Sequence, residues 1–407
     1  MLRSLYTGVA GLKSHQIDLD VIANNIANVN TPGFKASRVL FAELLNQTLK
    51  EAQAPAENRG GINPSQVGMG VGVAGIDLLM GQGPIQPTGI PSDLAILGEG
   101  FFALQDYRGA TVLTRNGAFQ LDAQGYFVHR GSGYRLMGWK VDTSGKVDRG
   151  APPKALQLDL GARAPRATTK VVYEGNLDAN VQTGETSRVA PSVIVYDQLG
   201  RAHELTLGFT RGSGNEWTVT VKYDGVDAGG SPFTITFDQN GQLTTGAQLS
   251  VQVDTGGGNT QTIQLDLTRL TQYAQADTVY ASSQDGSSGG ELEAVVVDPE
   301  GNVIGQYSNN ERYVLGQLAL ATVVNPAGLS KEPGSVFRTT ANSGSVHWGT
   351  AGSANVGQIE AQALEMSNVD LAQEFANMIV AQRGFQANTR VITTTDDVLQ
   401  EIVNLRR

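Results

Sequence analysis

Two apolar seams, one near each end of the chain, restrict its fold more than any other feature. Leu2, Leu5, Val9, Leu12, Leu19, Ala23 and Ile26 recur at steps of three or four, or their sum, and only Gln16 interrupts them. That spacing lines one face of an α-helix, the stripe through which helices pair. Over residues 2–29 such a helix is about 40 Å long at 1.5 Å per residue. It ends in Asn28-Val29-Asn30-Thr31-Pro32-Gly33, where Pro and Gly both break helices. Residues 370–405 hold no proline and a single glycine, Gly384. There Leu371, Phe375, Met378, Phe385 and Ile392 mark one stripe, and Val391, Val398, Ile402 and Leu405 continue it with a small phase shift. Ser367 or Asn368 is placed to cap this helix, with Asp370 in its first turn.

An isolated helix is marginal in water, and its stability comes from covering its apolar face. Two helices paired with each other leave much of each stripe uncovered, which is unfavourable at about 25 cal/mol per Å². Association with further copies of the chain covers both. The alternative is a helical hairpin packed on the chain's own β structure. Gly8 and Gly11 inside the first helix each cost about 1 kcal/mol against Ala, which close helix–helix approach would justify. Gln16, Gln382 and Asn388 lie near the stripes and either fix register or are simply exposed.

Between the helices the period changes to two. Trp217, Val219, Val221 and Tyr223 alternate with Thr218, Thr220 and Lys222, and Phe233, Ile235 and Phe237 alternate with threonines. Ile263, Leu265 and Leu267 do the same among polar residues, the pattern of half-buried strands. Asp-x-x-Gly recurs at Asp122–Gly125, Asp142–Gly145, Asp197–Gly200, Asp238–Gly241 and Asp298–Gly301, a type I turn signature. Fifty glycines and a charged fraction of 17% suit such turns and strands. The fold class expected is multidomain α+β: long terminal helices pair as a coiled-coil-like inner domain, with two nested all-β domains between them. The boundaries expected are 1–30 for the first helix, 31–70 for an extended arm and 71–149 for an inner β domain. An inserted outer β domain follows at 150–285, the inner domain resumes over 286–357, and a connector with the second helix occupies 358–407.

Chemistry is sparse. The net charge of −10 opposes a nucleic-acid partner and anionic membranes. Zero cysteines exclude thiolate chemistry and Cys-ligated metals. No run of 18 apolar residues predicts a membrane span, and the first 20 residues lack the continuous apolar core of a cleavable secretory signal. His15, His129, His203 and His347 are far apart, with no metal-binding spacing. Asp93 and Glu99 suit turn and capping roles better than a glycosidase pair, and Trp139, Trp217 and Trp348 suit packing better than sugar stacking. No catalytic residue, cofactor or metal is expected.

Three motifs, in order, carry a resemblance. They are residues 24–35, NNIANVNTPGFK; residues 88–104 with 114–128, TGIPSDLAILGEGFFAL and TRNGAFQLDAQGYFV; and residues 367–405, SNVDLAQEFANMIVAQRGFQANTRVITTTDDVLQEIVNL. The chain resembles the flagellar rod and hook axial protein family. The resemblance places Asn24, Asn28, Thr31, Gly33 and Phe34 in the N-terminal motif. It implies a helical homopolymer whose interface uses Leu5, Val9, Leu12, Leu19 and Ile26 of the first helix, with Leu371, Phe375, Met378, Phe385, Ile392, Val398 and Ile402 of the second. The implied product is the curved tube that joins rod to filament as a universal joint. The implied partners are rod, hook cap and hook–filament junction proteins and the type III export apparatus, with export to the cell exterior and no cleaved signal. The 150–285 block favours this role over a distal rod subunit. A secreted β-rich carbohydrate-active protein is the alternative from another class.

Overall fold

The computed structural model describes residues 2–54, 60–142, 146–256 and 260–404. The first helix, α1, spans Leu2–Ala27, and the second, α2, spans Leu371–Asn404; Leu405 lies outside the described residues. The two helices pack against each other. The start of α2 differs from expectation. Asp370 is the cap, its Oδ1 accepting from the amides of Ala372 at 2.8 Å and Gln373 at 3.2 Å. Ser367 and Asn368 precede the cap, and Asn368 spends its amide on distant backbone instead.

The chain forms two compact units. One comprises residues 1–159, 295–304 and 314–407; the other comprises 160–294 and 305–313. The composition-based edges at 150 and 285 fall in loops, whereas strand pairing sets the actual ones. Lys154–Ala155 pairs with Met137 and Gly138, and the Leu158 amide bonds Gly125 O at 2.8 Å, which holds this stretch to the first unit. At the far edge Ser287 and Gly290 bridge to Arg166 and Arg163, which extends the second unit past 285. The 31–70 stretch is also more structured than an extended arm. Ser37–Glu43 pairs antiparallel with Val71–Leu78, and Asn46–Lys50 with Ser65–Gly68. Its polar composition and a bulge between Leu40 and Phe41 hide the period-2 pattern.

In the first unit, Arg135–Lys140 pairs with Phe101–Gln105, which pairs in turn with Thr111–Thr114 and then Val336–Arg338, all antiparallel. Phe102, Leu104, Leu113, Phe119, Leu136 and Phe337 are fully buried there. In the second unit a four-stranded sheet runs Gln248–Asp254, Thr260–Tyr273, Lys170–Asp178, Tyr280–Gln284. A seven-stranded sheet contains Ala202–Arg211, Glu216–Tyr223 and Phe233–Phe237 in that order. One apolar core joins both sheets, with Trp217, Phe209, Tyr173 and Leu265 fully buried. Four of the five Asp-x-x-Gly turns share one construction; residues 143–145 of the fifth, Asp142–Gly145, lie outside the described residues. Asp197 Oδ1 accepts from Leu199 N at 2.9 Å and Arg201 N at 2.8 Å, and Gly200 takes φ +80°. Asp122, Asp238 and Asp298 repeat these bonds. The carboxylate satisfies the tight turn's amides, and glycine supplies the left-handed residue that returns the strand.

Candidate assembly interface

The seam between the helices is built on small residues. A Cβ on Gly8 would lie 3.1 Å from Ile392 Cγ1, one on Gly11 2.6 Å from Asn388 Oδ1, and one on Gly384 2.6 Å from the His15 ring. Close approach therefore accounts for glycine inside both helices. Asn388 fills the notch at Gly11 and donates to Gly384 O at 2.9 Å, while Gln16 and Gln382 are exposed. Among the described residues of α1, Gly8, Gly11, Ser14, Ile22 and Asn25 are buried. They form a mixed small and polar face rotated away from the apolar stripe. Apolar periodicity alone does not reveal it; the spacing of Gly8, Gly11 and Ser14 is the available signal.

The predicted stripes lie beside this seam. Leu5, Leu12, Leu19 and Ile26 are half-buried and Val9 is exposed. On α2, Met378, Phe385 and Ile392 are half-buried, whereas Leu371, Phe375, Val398 and Ile402 are exposed. Further apolar side chains that the stripe missed are open to solvent: Ile379 at 58%, Val380 at 70% and Val403 at 66%. Among the described residues of α2 only Ala381 and Thr395 are buried. The pair thus covers a narrow seam and leaves Phe375, Ile379, Val380, Val398, Ile402 and Val403 of α2 exposed, and exposed apolar clusters of that kind mark interaction surfaces.

Beside the seam, α1, α2 and the Ser37–Glu43 strand border a cavity of about 400 Å³ lined by Asp18, Ile22, Val39, Glu374, Asn377 and Val380. Burial raises the carboxyl pKa of both Asp18 and Glu374. The N-terminal motif sits just beyond α1. Asn28 Nδ2 donates to Asn24 O at 2.9 Å, and Thr31 Oγ1 donates to Asn28 Oδ1 at 3.1 Å, which closes the helix end. Gly33 takes φ +66°, and a Cβ there would lie 2.4 Å from Asn116 N. Phe34 is buried, with the Lys331 ammonium 3.5 Å from its ring centroid.

The residues weighed for sugar chemistry have structural roles. Asp93 is ion-paired to Arg130 at 3.0 Å, Trp217 is in the second unit's core, and buried Trp139 donates to Ala151 O at 3.0 Å. Among the described residues no cluster of three or more His, Asp or Glu is arranged to hold a metal, and no helix is long and apolar enough to cross a membrane.

Four family models cover most of this architecture: Flagella basal body rod protein over residues 5–35, Flagellar hook protein FlgE/F/G D1 domain over 95–171, Flagellar basal body protein FlaE D2 domain over 143–287, and Flagellar basal body rod FlgEFG protein C-terminal over 360–405. The flagellar hook protein FlgE of Borreliella burgdorferi is 38% identical over 444 residues, spanning 100% of both chains. That of Treponema pallidum is 36% identical, again over 100% of both. The chain belongs to the flagellar hook protein family. The FlgE of Salmonella typhimurium is 34% identical across 99% of this chain and 100% of its own. The fold agrees with the Helicobacter pylori hook protein FlgE2, at a TM-score of 0.55 and 14% identity over 69% of this chain and 100% of that one. Hook family membership accounts for the pairing of terminal helices around a largely β middle.

Proposed function

We propose that the chain is the repeating subunit of a flagellar hook, a curved tube that links rod to filament and transmits torque as a universal joint. The observation that carries this is the apolar surface the paired helices leave uncovered, with Phe375 at 51% exposure and Val380 at 70%. Copies arranged around a common axis bury that surface helix against helix. In this reading α1 and α2 form the inner tube, the strands of the first unit form the inner β domain, and the second unit, residues 160–294 with 305–313, is the outer domain. The 31–70 arm connects tube to body. Helix packing carries torsion, and weaker contacts between the outer β domains slide as the tube bends.

Leu5, Val9, Leu12, Leu19 and Ile26, with Leu371, Phe375, Met378, Phe385, Ile392, Val398 and Ile402, supply the polymer contacts in this reading. Asn24, Asn28, Thr31, Gly33 and Phe34 set the exit from α1. The tube's ends meet rod, hook cap and hook–filament junction proteins, outside the cell, after passage through the type III export apparatus. No step is catalytic. Negative-stain electron microscopy of the purified chain at rising concentration tests the proposal. Tubes are expected; a monomer at every concentration would overturn it.

A further inference from the structure

One buried polar cluster is not used by the helix seam. Three chain segments of the same unit come together: residues 33–37, which follow α1, residues 365–368, which precede α2, and residues 79–83, which run between the strands Val71–Leu78 and Ile85–Pro87. Glu365 is fully buried where they meet. Its Oε1 accepts from Lys35 Nζ at 2.7 Å and Gly83 N at 2.9 Å, and its Oε2 from Arg115 Nη1 at 3.2 Å. Its backbone oxygen accepts from Gly33 N at 2.7 Å, and Lys35 Nζ also donates to Gly81 O at 2.7 Å. Three residues on, Asn368 Oδ1 accepts from Ala36 N at 2.8 Å, and its Nδ2 donates to Leu79 O at 2.7 Å and Gly81 O at 3.1 Å. Asn25, on α1, exchanges bonds with Ser37 in both directions, at 2.8 and 3.0 Å.

Stability alone is a poor reason for such a cluster. Burying charges offsets much of their attraction, and apolar replacements of similar volume often match or exceed a buried ion pair. Burial pulls the Lys35 pKa down and Glu365 works against that pull, so the lysine is held by its partner rather than by its surroundings. What directional bonds add over apolar packing is geometry. Each of the three segments is fixed to the other two, through bonds that span 330, 282 and 46 residues of the chain, and Arg115 ties the cluster to the end of the Thr111–Thr114 strand.

We propose that Glu365 and Asn368 form a latch that sets the direction in which the helix pair leaves the strand body, so that the two move as one rigid lever. Glu365 is a positioning residue, and the claim goes beyond the polymer reading because it concerns a single chain. The chain has no cysteine, so spin labels at Gln16→Cys on α1 and Gln120→Cys on Phe119–Leu121 report the lever directly. Labelled full-length protein, diluted into unlabelled, is measured by pulsed electron paramagnetic resonance. The parent is expected to give one narrow distance. In Glu365→Gln and in Asn368→Ala the distribution broadens. Amide exchange over residues 365–370 accelerates in Glu365→Gln by about a hundredfold or more, the equilibrium equivalent of a broken buried ion pair. The decisive variant combines Lys35→Met, Arg115→Met and Glu365→Leu. It restores thermal stability by packing, yet its distance stays broad if directionality is the role. A narrow distance in that variant, or in both single variants, overturns the latch. Asn368→Ala retains all three charged partners and keeps the test open if Glu365→Gln does not fold. Tube formation by the same samples is scored separately, so failure of the latch and failure of the hook reading are distinguishable.

Discussion

Replacing Ile379 with Asp separates assembly from folding. Ile379 is 58% exposed on α2, one turn beyond Phe375. Fully burying an Ile side chain is worth about 1.5–3 kcal/mol relative to leaving it exposed. A contact with a neighbouring copy that covers the open half therefore gains about 1–1.5 kcal/mol. Aspartate forfeits that gain and brings a carboxylate whose desolvation costs about 2 kcal/mol or more. At roughly 1.4 kcal/mol per factor of ten, the critical concentration for assembly rises by two to three orders of magnitude. Ile379→Ala, which loses only the apolar gain, raises it about tenfold. The single chain is barely affected, because substitutions at exposed positions usually stay within about 0.5 kcal/mol. The assay is pelleting against concentration, with thermal unfolding of the supernatant as the control. Ile379→Asp that pelleted at the parent concentration would refute the reasoning.

Other outcomes follow from the same geometry. Gly33→Ala meets both a φ of +66° and backbone atoms 2.4 Å away, so unfolding of the first unit should become easier by about 2–4 kcal/mol, read by chemical denaturation. Trp217→Ala empties the centre of the second unit's core and should cost about 3–5 kcal/mol. Calorimetry should show one transition shifted and the other unmoved, and an equal shift in both would contradict separate cores. His129 is buried, and burial pushes its pKa down to about 4, against an ordinary value of about 6.5. Its neutral form is the folded form, so stability is at its full value above pH ~6.5 and declines by about 1.4 kcal/mol per pH unit from there towards pH ~4. His129→Gln should flatten that limb in a pH series of denaturation curves, and an unaltered slope would assign it to other groups.

The parts legible in the sequence were those set by local chemistry. Both helices, the NTPG stop after α1, and the strands around Trp217, Phe233 and Ile263 follow from period and turn residues alone. The repeated Asp-x-x-Gly turns are legible for the same reason, since each is complete within five residues. The seam on α1 was legible only in part: Gly8 and Gly11 inside a helix point to close helix–helix approach, but Ser14 carries no such signal, and the partners Ile392 and Asn388 lie more than 370 residues away. The Asn46–Lys50 and Ser65–Gly68 pair was missed because every residue in both strands is exposed, which removes the alternation that marks a strand. Asn368 had the composition of a helix cap, but its partners Ala36, Leu79 and Gly81 lie in distant segments. Pairwise contacts of that span leave no trace in a single sequence.

Electron cryo-microscopy of the assembled tube measures the main premise most directly. Phe375, Ile379, Val398 and Ile402 should lie in van der Waals contact with a neighbouring copy near the axis. A tube held together only through its β domains, with those four side chains facing water, would contradict it.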